Sequence, residues 1–150
     1  FEHFGGLQDF ENYFEQIYDV FRKKDCWRVY EDVLESGILE KLKRRGVILG
    51  VVSNWDSRLQ DTLDDIGLAR HFDFILASTV VGSAKPDQKI FAEALKLSGV
   101  RAEEACHIGD EPLTDIKGAR LAGVDGILID RTGRHADFPA LKVSSFLEMV

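Results

Sequence analysis

At 150 residues the chain has the size of one ordinary domain and can bury a core. Its apolar share of 45% and charged share of 30% are those of a soluble globular protein. The formal net charge of −7, with no basic stripe, excludes serial contacts to nucleic-acid phosphates, and the longest apolar stretch, residues 47–52, is too short to cross a bilayer.

Taken in chain order, residues 9–21 place Phe10, Phe14, Ile17, Tyr18 and Phe21 at spacings of three and four, one apolar helix face. Gly5 and Gly6 ahead of it read as a loop, and the charged, aromatic residues 22–32 as a connection between two units. Residues 33–45 carry Leu34, Ile38, Leu39 and Leu42 on one face of a predicted helix that Gly46 ends. The run VILGVV (47–52) is predicted as a strand buried on both sides. Asp56 is suited to cap a helix carrying Leu59, Leu63 and Ile66 and closed by Gly67. FDFILAS (72–78) reads as the next strand. Asp87 caps a predicted helix with Ile90, Phe91, Ala94, Leu95 and Leu97, stopped by Gly99. ACHI (105–108) is a strand, and Pro112 opens a helix running to about Ala122. VDGILI (124–129) is a further strand, Arg131 to His135 reads as a solvated loop, and Ser144 or Ser145 starts a last short helix.

Four strands alternating with helices imply a parallel, three-layer α/β sheet whose ligands bind beyond the carboxyl ends of the strands. Ser53-Asn54 follows the first of these strands, Lys85-Pro86-Asp87 lies beyond the second, and Gly109-Asp110 follows the third, with Asp115 in the next helix. A hydroxyl, an amide, an ammonium and two carboxylates at one edge suit a phosphoryl group with a magnesium ion. Hard oxygens hold the metal, while cationic and hydrogen-bonding donors balance the phosphoryl oxygens. Each residue alone has a plainer reading as a turn, a solvated lysine or a first-turn acid; their joint order at successive strand ends gives the argument its weight. Trp55 sits at the same rim, where contact with a substrate and packing under a helical cap are both open. Glu111 is either a third acid near the metal or exposed. His107, inside its strand, reads as a packed core histidine and Cys106 as a buried thiol. The acidic cluster Asp61, Asp64, Asp65 reads as a solvated helix face. Two unpaired cysteines, Cys26 and Cys106, suit a reducing cytoplasm.

The segments VVSNWD, SAKPDQKIF and HIGDEPLTDIKGARLAG resemble the second, third and fourth motifs of the haloacid-dehalogenase superfamily. The resemblance implies a Rossmann-like α/β core over residues 26–150, with residues 1–25 as the remnant of a helical cap and its linker. It further implies that Ser53 hydrogen-bonds the transferring phosphoryl group with Asn54 beside it, and that Lys85 neutralises charge between nucleophile and phosphate. Asp110 would bind Mg²⁺ directly, and Asp115 would bind or orient it, directly or through water. The family's first motif, a strand ending in Asp-x-Asp whose first aspartate is the nucleophile, has no match in this chain. In the family that strand lies between those ending at Ser53 and Asp110. The expectation is therefore a fragment, beginning at Phe1, of a Mg²⁺-dependent phosphatase for a small phosphorylated metabolite. The chain alone is expected to be inactive, its sheet completed by a missing segment or a second chain.

Three other readings are weighed. A pseudoenzyme or interaction module would keep the fold and lack the chemistry. A 2-haloacid dehalogenase would need no metal, which the carboxylate pair disfavours. A phospho-accepting receiver domain places its acidic pair before the hydroxyl and lysine, the reverse of the order here, and a P-loop enzyme is excluded because no Gly-x-x-x-x-Gly-Lys occurs.

Overall fold

The structure, a computed structural model, describes residues 10–22 and 26–149. The expected loop at Gly5 and Gly6, and residues 23–25 of the connection, lie outside the described residues. Helix α1 (Phe10–Arg22) is followed by α2 (Glu31–Ser36), α3 (Ile38–Arg44), β1 (Gly50–Ser53), α4 (Leu59–Asp65), β2 (Phe74–Ala77), α5 (Ser78–Val81) and α6 (Gln88–Ser98). Then come β3 (Cys106–Gly109), a π-helical turn (Pro112–Lys117) running into α7 (Gly118–Leu121), β4 (Asp125–Ile129), β5 (Leu141–Val143) and a closing 3₁₀ turn (Phe146–Met149). No helix among the described residues is long and apolar enough to cross a membrane.

All strand pairings are parallel, as the strand–helix alternation predicts, but the strands form two sheets, β1–β2 and β3–β4–β5. β1 and β3 do not pair with each other, and each keeps one edge without a strand partner among the described residues. That division shortens the first predicted strand. Val47 and Ile48, expected inside it, are 42% and 45% exposed, and pairing begins only at Gly50. The chain ahead of β1 is held instead by Asp73, whose carboxylate accepts from the Leu49 N–H at 2.8 Å and from Lys43 Nζ at 2.6 Å. β5 has no counterpart in the sequence reading, because three residues are too few to set up a recognisable alternation.

Helix α6 joins the two sheets. Its N-cap is Asp87, as expected, whose side chain accepts from the Lys89 N–H at 2.9 Å, and Gly99 closes it in the left-handed region. The helix packs against β1, β2 and α7. Ile90 (0% exposed) and Phe91 (3%) form the core with Ala119 and Val124, and Val52 of β1 packs onto it. Removing the Phe91 ring from such a site would cost about 3–5 kcal/mol.

Three local expectations are corrected. The helix predicted over residues 33–45 is two helices, because Gly37 adopts φ 57° and ends α2; Leu34 is then exposed while Ile38 is buried. Asp56 does not cap α4, because it lies two residues ahead of the N-cap, Arg58, where its carboxylate is engaged by the Arg58 N–H at 3.0 Å and the Arg58 guanidinium. Thr132 to Arg134 are exposed, as the predicted solvated loop requires, but Arg131 is half-buried and engaged: its guanidinium forks onto Asp32, with Nη2 at 3.1 Å from both oxygens, and stacks over the Tyr30 ring at 4.1 Å. Asp32 also accepts from the Phe146 N–H at 2.9 Å, so this clasp ties the start of α2 to the final turn. The Asp61, Asp64, Asp65 face of α4 is exposed, as expected. In α1, Phe14 and Ile17 of the predicted apolar stripe are 54% and 39% exposed.

Candidate active site

The carboxyl ends of β1, β2 and β3 meet through side chains. Asn54, just beyond β1, clamps the backbone of Lys85: its Nδ2 donates to the Lys85 carbonyl at 2.9 Å and its Oδ1 accepts the Lys85 N–H at 2.7 Å. Lys85 then reaches the third strand end, with Nζ 2.6 Å from Asp115 Oδ1. Both partners are buried, at 11% and 5% side-chain exposure, so water screens the pair weakly. Three strand ends from two separate sheets are thus connected by one amide, one ammonium and one carboxylate. Ser53 closes β1 beside Asn54, half-buried, and Asp110 follows β3, exposed.

Asp115 reaches this position because of how the chain turns after β3. Instead of an ordinary first helical turn, Glu111 O accepts from both the Asp115 N–H (2.9 Å) and the Ile116 N–H (3.4 Å), which widens the turn to π geometry. The carboxylate folds back over Gly109. A Cβ at residue 109 would lie 2.3 Å from Asp115 Cγ, so only glycine lets the two approach. Asp115 Oδ2 accepts from the Glu111 N–H at 3.0 Å. Burial by itself would raise the Asp115 pKa; hydrogen bonds from His107 and Lys85, the Lys85 charge and the Glu111 N–H outweigh it and hold the carboxyl well below the usual carboxylate range.

His107 is the residue that the sequence reading left out of the site. It does pack, edge-on against Phe91 with centroids 5.3 Å apart, but its Nε2 also lies 3.4 Å from Asp115 Oδ1. The signal was available: His107 and Gly109 are two apart in a strand, so they share a face, and Asp115 sits over Gly109. Cys106, expected buried, is exposed at the opposite end of β3 from the rim. Glu111 is exposed and contributes only its backbone. Trp55 meets another aromatic, Trp27, at 4.7 Å between ring centroids. An open cleft of about 770 Å³ is lined by Trp27, Tyr30, Asp32, Arg131 and neighbours; it includes none of Ser53, Asn54, Lys85, Asp110 or Asp115.

As a metal centre, this set is incomplete. Asp115 already holds Lys85, His107 and a backbone N–H, Asp110 is a single exposed carboxylate, and no group of three His, Cys, Asp or Glu side chains among the described residues is placed to hold a cation. The linked groups are the Asn54 amide, the Lys85 ammonium and the Asp115 carboxylate, with the Ser53 hydroxyl next to Asn54 in the chain.

Comparison with known proteins places the arrangement. The family described as "Haloacid dehalogenase-like hydrolase" matches residues 1–129. The chain belongs to this haloacid dehalogenase-like hydrolase family. It is 42% identical over 130 residues to a bovine "Haloacid dehalogenase-like hydrolase domain-containing protein 3", covering 87% of this chain and 50% of that protein. It is 38% identical over 133 residues to a Thermus thermophilus "Phosphoserine phosphatase", covering 86% of this chain and 53% of that one. Among solved structures, a haloacid dehalogenase-type phosphatase from Thermococcus onnurineus superposes with a TM-score of 0.80 at 27% identity, covering 91% of this chain and 62% of the other. The α/β fold is thus the Rossmann-like one of these hydrolases, and the chain spans about half the length of the curated relatives it matches.

Proposed function

We propose that this haloacid dehalogenase-like chain carries the phosphoryl-binding rim of a phosphatase for a small phosphorylated metabolite. In that role Ser53 Oγ and Asn54 would donate to the phosphoryl oxygens, and Lys85 would balance their charge. Asp110 would hold Mg²⁺, with Asp115 orienting it, once a further carboxylate joins them. The observation that carries the reading is the Asn54–Lys85–Asp115 connection, which fixes a buried ammonium between strand ends that no sheet hydrogen bond joins. The likeness to a phosphoserine phosphatase and to the Thermococcus onnurineus phosphatase supports phosphate chemistry; solved dehalogenases are comparably similar, so the choice over a haloacid rests on the carboxylate pair Asp110 and Asp115.

The nucleophile belongs to the same proposal. No strand end among the described residues places a second aspartate beside Ser53 and Lys85, and β1 and β3 each have an unpaired edge. We assign the attacking carboxylate to a parallel strand, from another segment of the whole protein or a second chain, seated between β1 and β3. It would satisfy the backbone groups both edges leave open. In that reading residues 1–25 belong to a helical cap and its linker, residues 26–150 to the core, and the two unbridged thiols to a reducing cytoplasm.

One observation favours a catalytically silent relative instead: Lys85 is already neutralised by the site's own Asp115. The two readings part in one titration. Calorimetry with inorganic phosphate and Mg²⁺ should detect binding that S53A and K85M each weaken by about tenfold or more. The chain alone should hydrolyse p-nitrophenyl phosphate no faster than background. Absence of anion binding by the unaltered chain would sink the phosphatase reading, and turnover by the chain alone would sink the assignment of the nucleophile elsewhere.

A further inference from the structure

The chain contains two tryptophans, Trp27 and Trp55, and the fold brings them together from separate segments. Their ring centroids lie 4.7 Å apart with planes inclined at 56°, a tilted contact within the favourable range for aromatic pairs. Trp55 directly follows Ser53-Asn54, and its backbone is fixed to the start of α5. Its N–H donates to Ser78 Oγ at 3.1 Å; its carbonyl accepts the Ser78 hydroxyl at 3.1 Å and the Thr79 N–H at 3.2 Å. Trp27 reaches it from the segment between α1 and α2.

Two indoles in contact would ordinarily be core. Here both are only half-buried, and the residues joined to Trp55 in sequence are those of the anion site. Trp27 also lines the open cleft of about 770 Å³ that it shares with Tyr30 and Arg131. Trp55 is thus one residue along the chain from Asn54, which clamps Lys85, and Trp27, in contact with Trp55, opens onto the cleft. The Arg131 guanidinium in that cleft is already paired with Asp32 and stacked on Tyr30, so it adds flat surface rather than a vacant cation. A polyol leaving group needs convergent hydrogen-bonding groups; a flat, apolar one needs ring faces.

We infer that the Trp27–Trp55 pair is the wall of the leaving-group subsite and selects phosphate esters of flat, apolar alcohols over those of small polyols. This rests on the phosphoryl-site reading above and adds the substrate class to it. Trp27 and Trp55 are in this sense specificity-determining residues.

Non-hydrolysable phosphonates test it without requiring turnover. Titrated calorimetrically into the chain with Mg²⁺, phenylphosphonate should bind about tenfold more tightly than methylphosphonate, roughly what one aromatic contact supplies. W27L and W55L should bring that ratio close to one, and W27F and W55F should preserve most of it. Because both tryptophans belong to the pair, phenylphosphonate should also shift or quench the emission of the unaltered chain, a readout that needs no variant to fold. Equal affinity for the two phosphonates, a ratio that survives both leucine variants, or phenylphosphonate binding with unchanged emission would each overturn the inference while leaving the phosphoryl site intact. If neither phosphonate nor inorganic phosphate binds, both readings fall.

Discussion

Two buried ion pairs join distant parts of this chain, and they are built differently. Arg131 and Asp32 are matched as fork to fork: the guanidinium takes both carboxylate oxygens, a backbone N–H from Phe146 occupies one of them again, and Tyr30 and Phe146 flank the cation at 4.1 and 5.4 Å. Few polar valences remain for anything else, which is the signature of a structural clasp. Lys85 and Asp115 meet at one point, Nζ to Oδ1, on the rim where three strand ends converge. An ammonium has three donors, and a single carboxylate oxygen uses one, so this pair retains capacity for a further anion. Equal chemistry on paper thus separates by geometry into a closed pair and one with donors to spare.

The sharpest way to break this contrast is to remove the cations one at a time. K85M leaves Asp115 buried without its ammonium and should cost about 3–5 kcal/mol in urea denaturation, along with phosphate binding. R131M should cost less, about 2 kcal/mol, since Asp32 keeps the Phe146 N–H, and it should leave phosphate affinity unchanged. A loss of phosphate affinity in R131M would merge the two pairs into one functional unit. G109A should cost about 1–3 kcal/mol, because the new methyl collides with Asp115 and must push it off its seat; retention of native stability would mean that Asp115 is not held over residue 109. H107F keeps the edge-on packing against Phe91 and removes only the 3.4 Å contact to Asp115, so it should change stability by about 1 kcal/mol or less.

Acid titration sharpens the same contrast. Asp115 and Asp32 are both held below their ordinary pKa, in each case against the opposing effect of burial: Asp115 by hydrogen bonds from His107 and Lys85, Asp32 by the Phe146 N–H and Arg131. A depressed folded-state pKa contributes stability that is present above about pH 4 and lost as pH falls below it. Unfolding free energy should therefore decline from about pH 4 downwards in the unaltered chain. The decline should be shallower in K85M, where less depression of Asp115 remains to lose. An equal slope in the two proteins would assign the acid sensitivity to other carboxylates.

Much of this was legible in the sequence because the signals are local. Asp87 and Gly99 bracket α6, Pro112 opens the turn after β3, and of the polar residues picked out beyond the strands, Asn54, Lys85 and Asp115 are linked to one another. What the sequence could not convey depends on partners. VILGVV reads as a strand buried on both faces only if the whole run lies within the sheet, and pairing with β2 begins only at Gly50, so Val47 and Ile48 stay outside it. Arg131 looks like a loop arginine until Asp32, far back in the chain, comes beside it. His107 looked like core because its packing partner, Phe91, comes from a helix before it and its polar partner, Asp115, from the turn after it. Gly37 carried its own warning: a glycine between Ser36 and Ile38 is enough to turn one predicted helix into two.

Helix α6 has a consequence beyond packing. With no ladder between β1 and β3, this one rod splints the two half-sheets, and the spacing of the rim residues inherits its rigidity. A half-sheet displaced by an ångström or so would carry Asn54 and Lys85 away from Asp115 as a block, leaving each half internally intact. The Lys85–Asp115 contact then depends on how well two preformed jaws are aligned, and a small substitution on the buried side of α6 would be felt first at the rim.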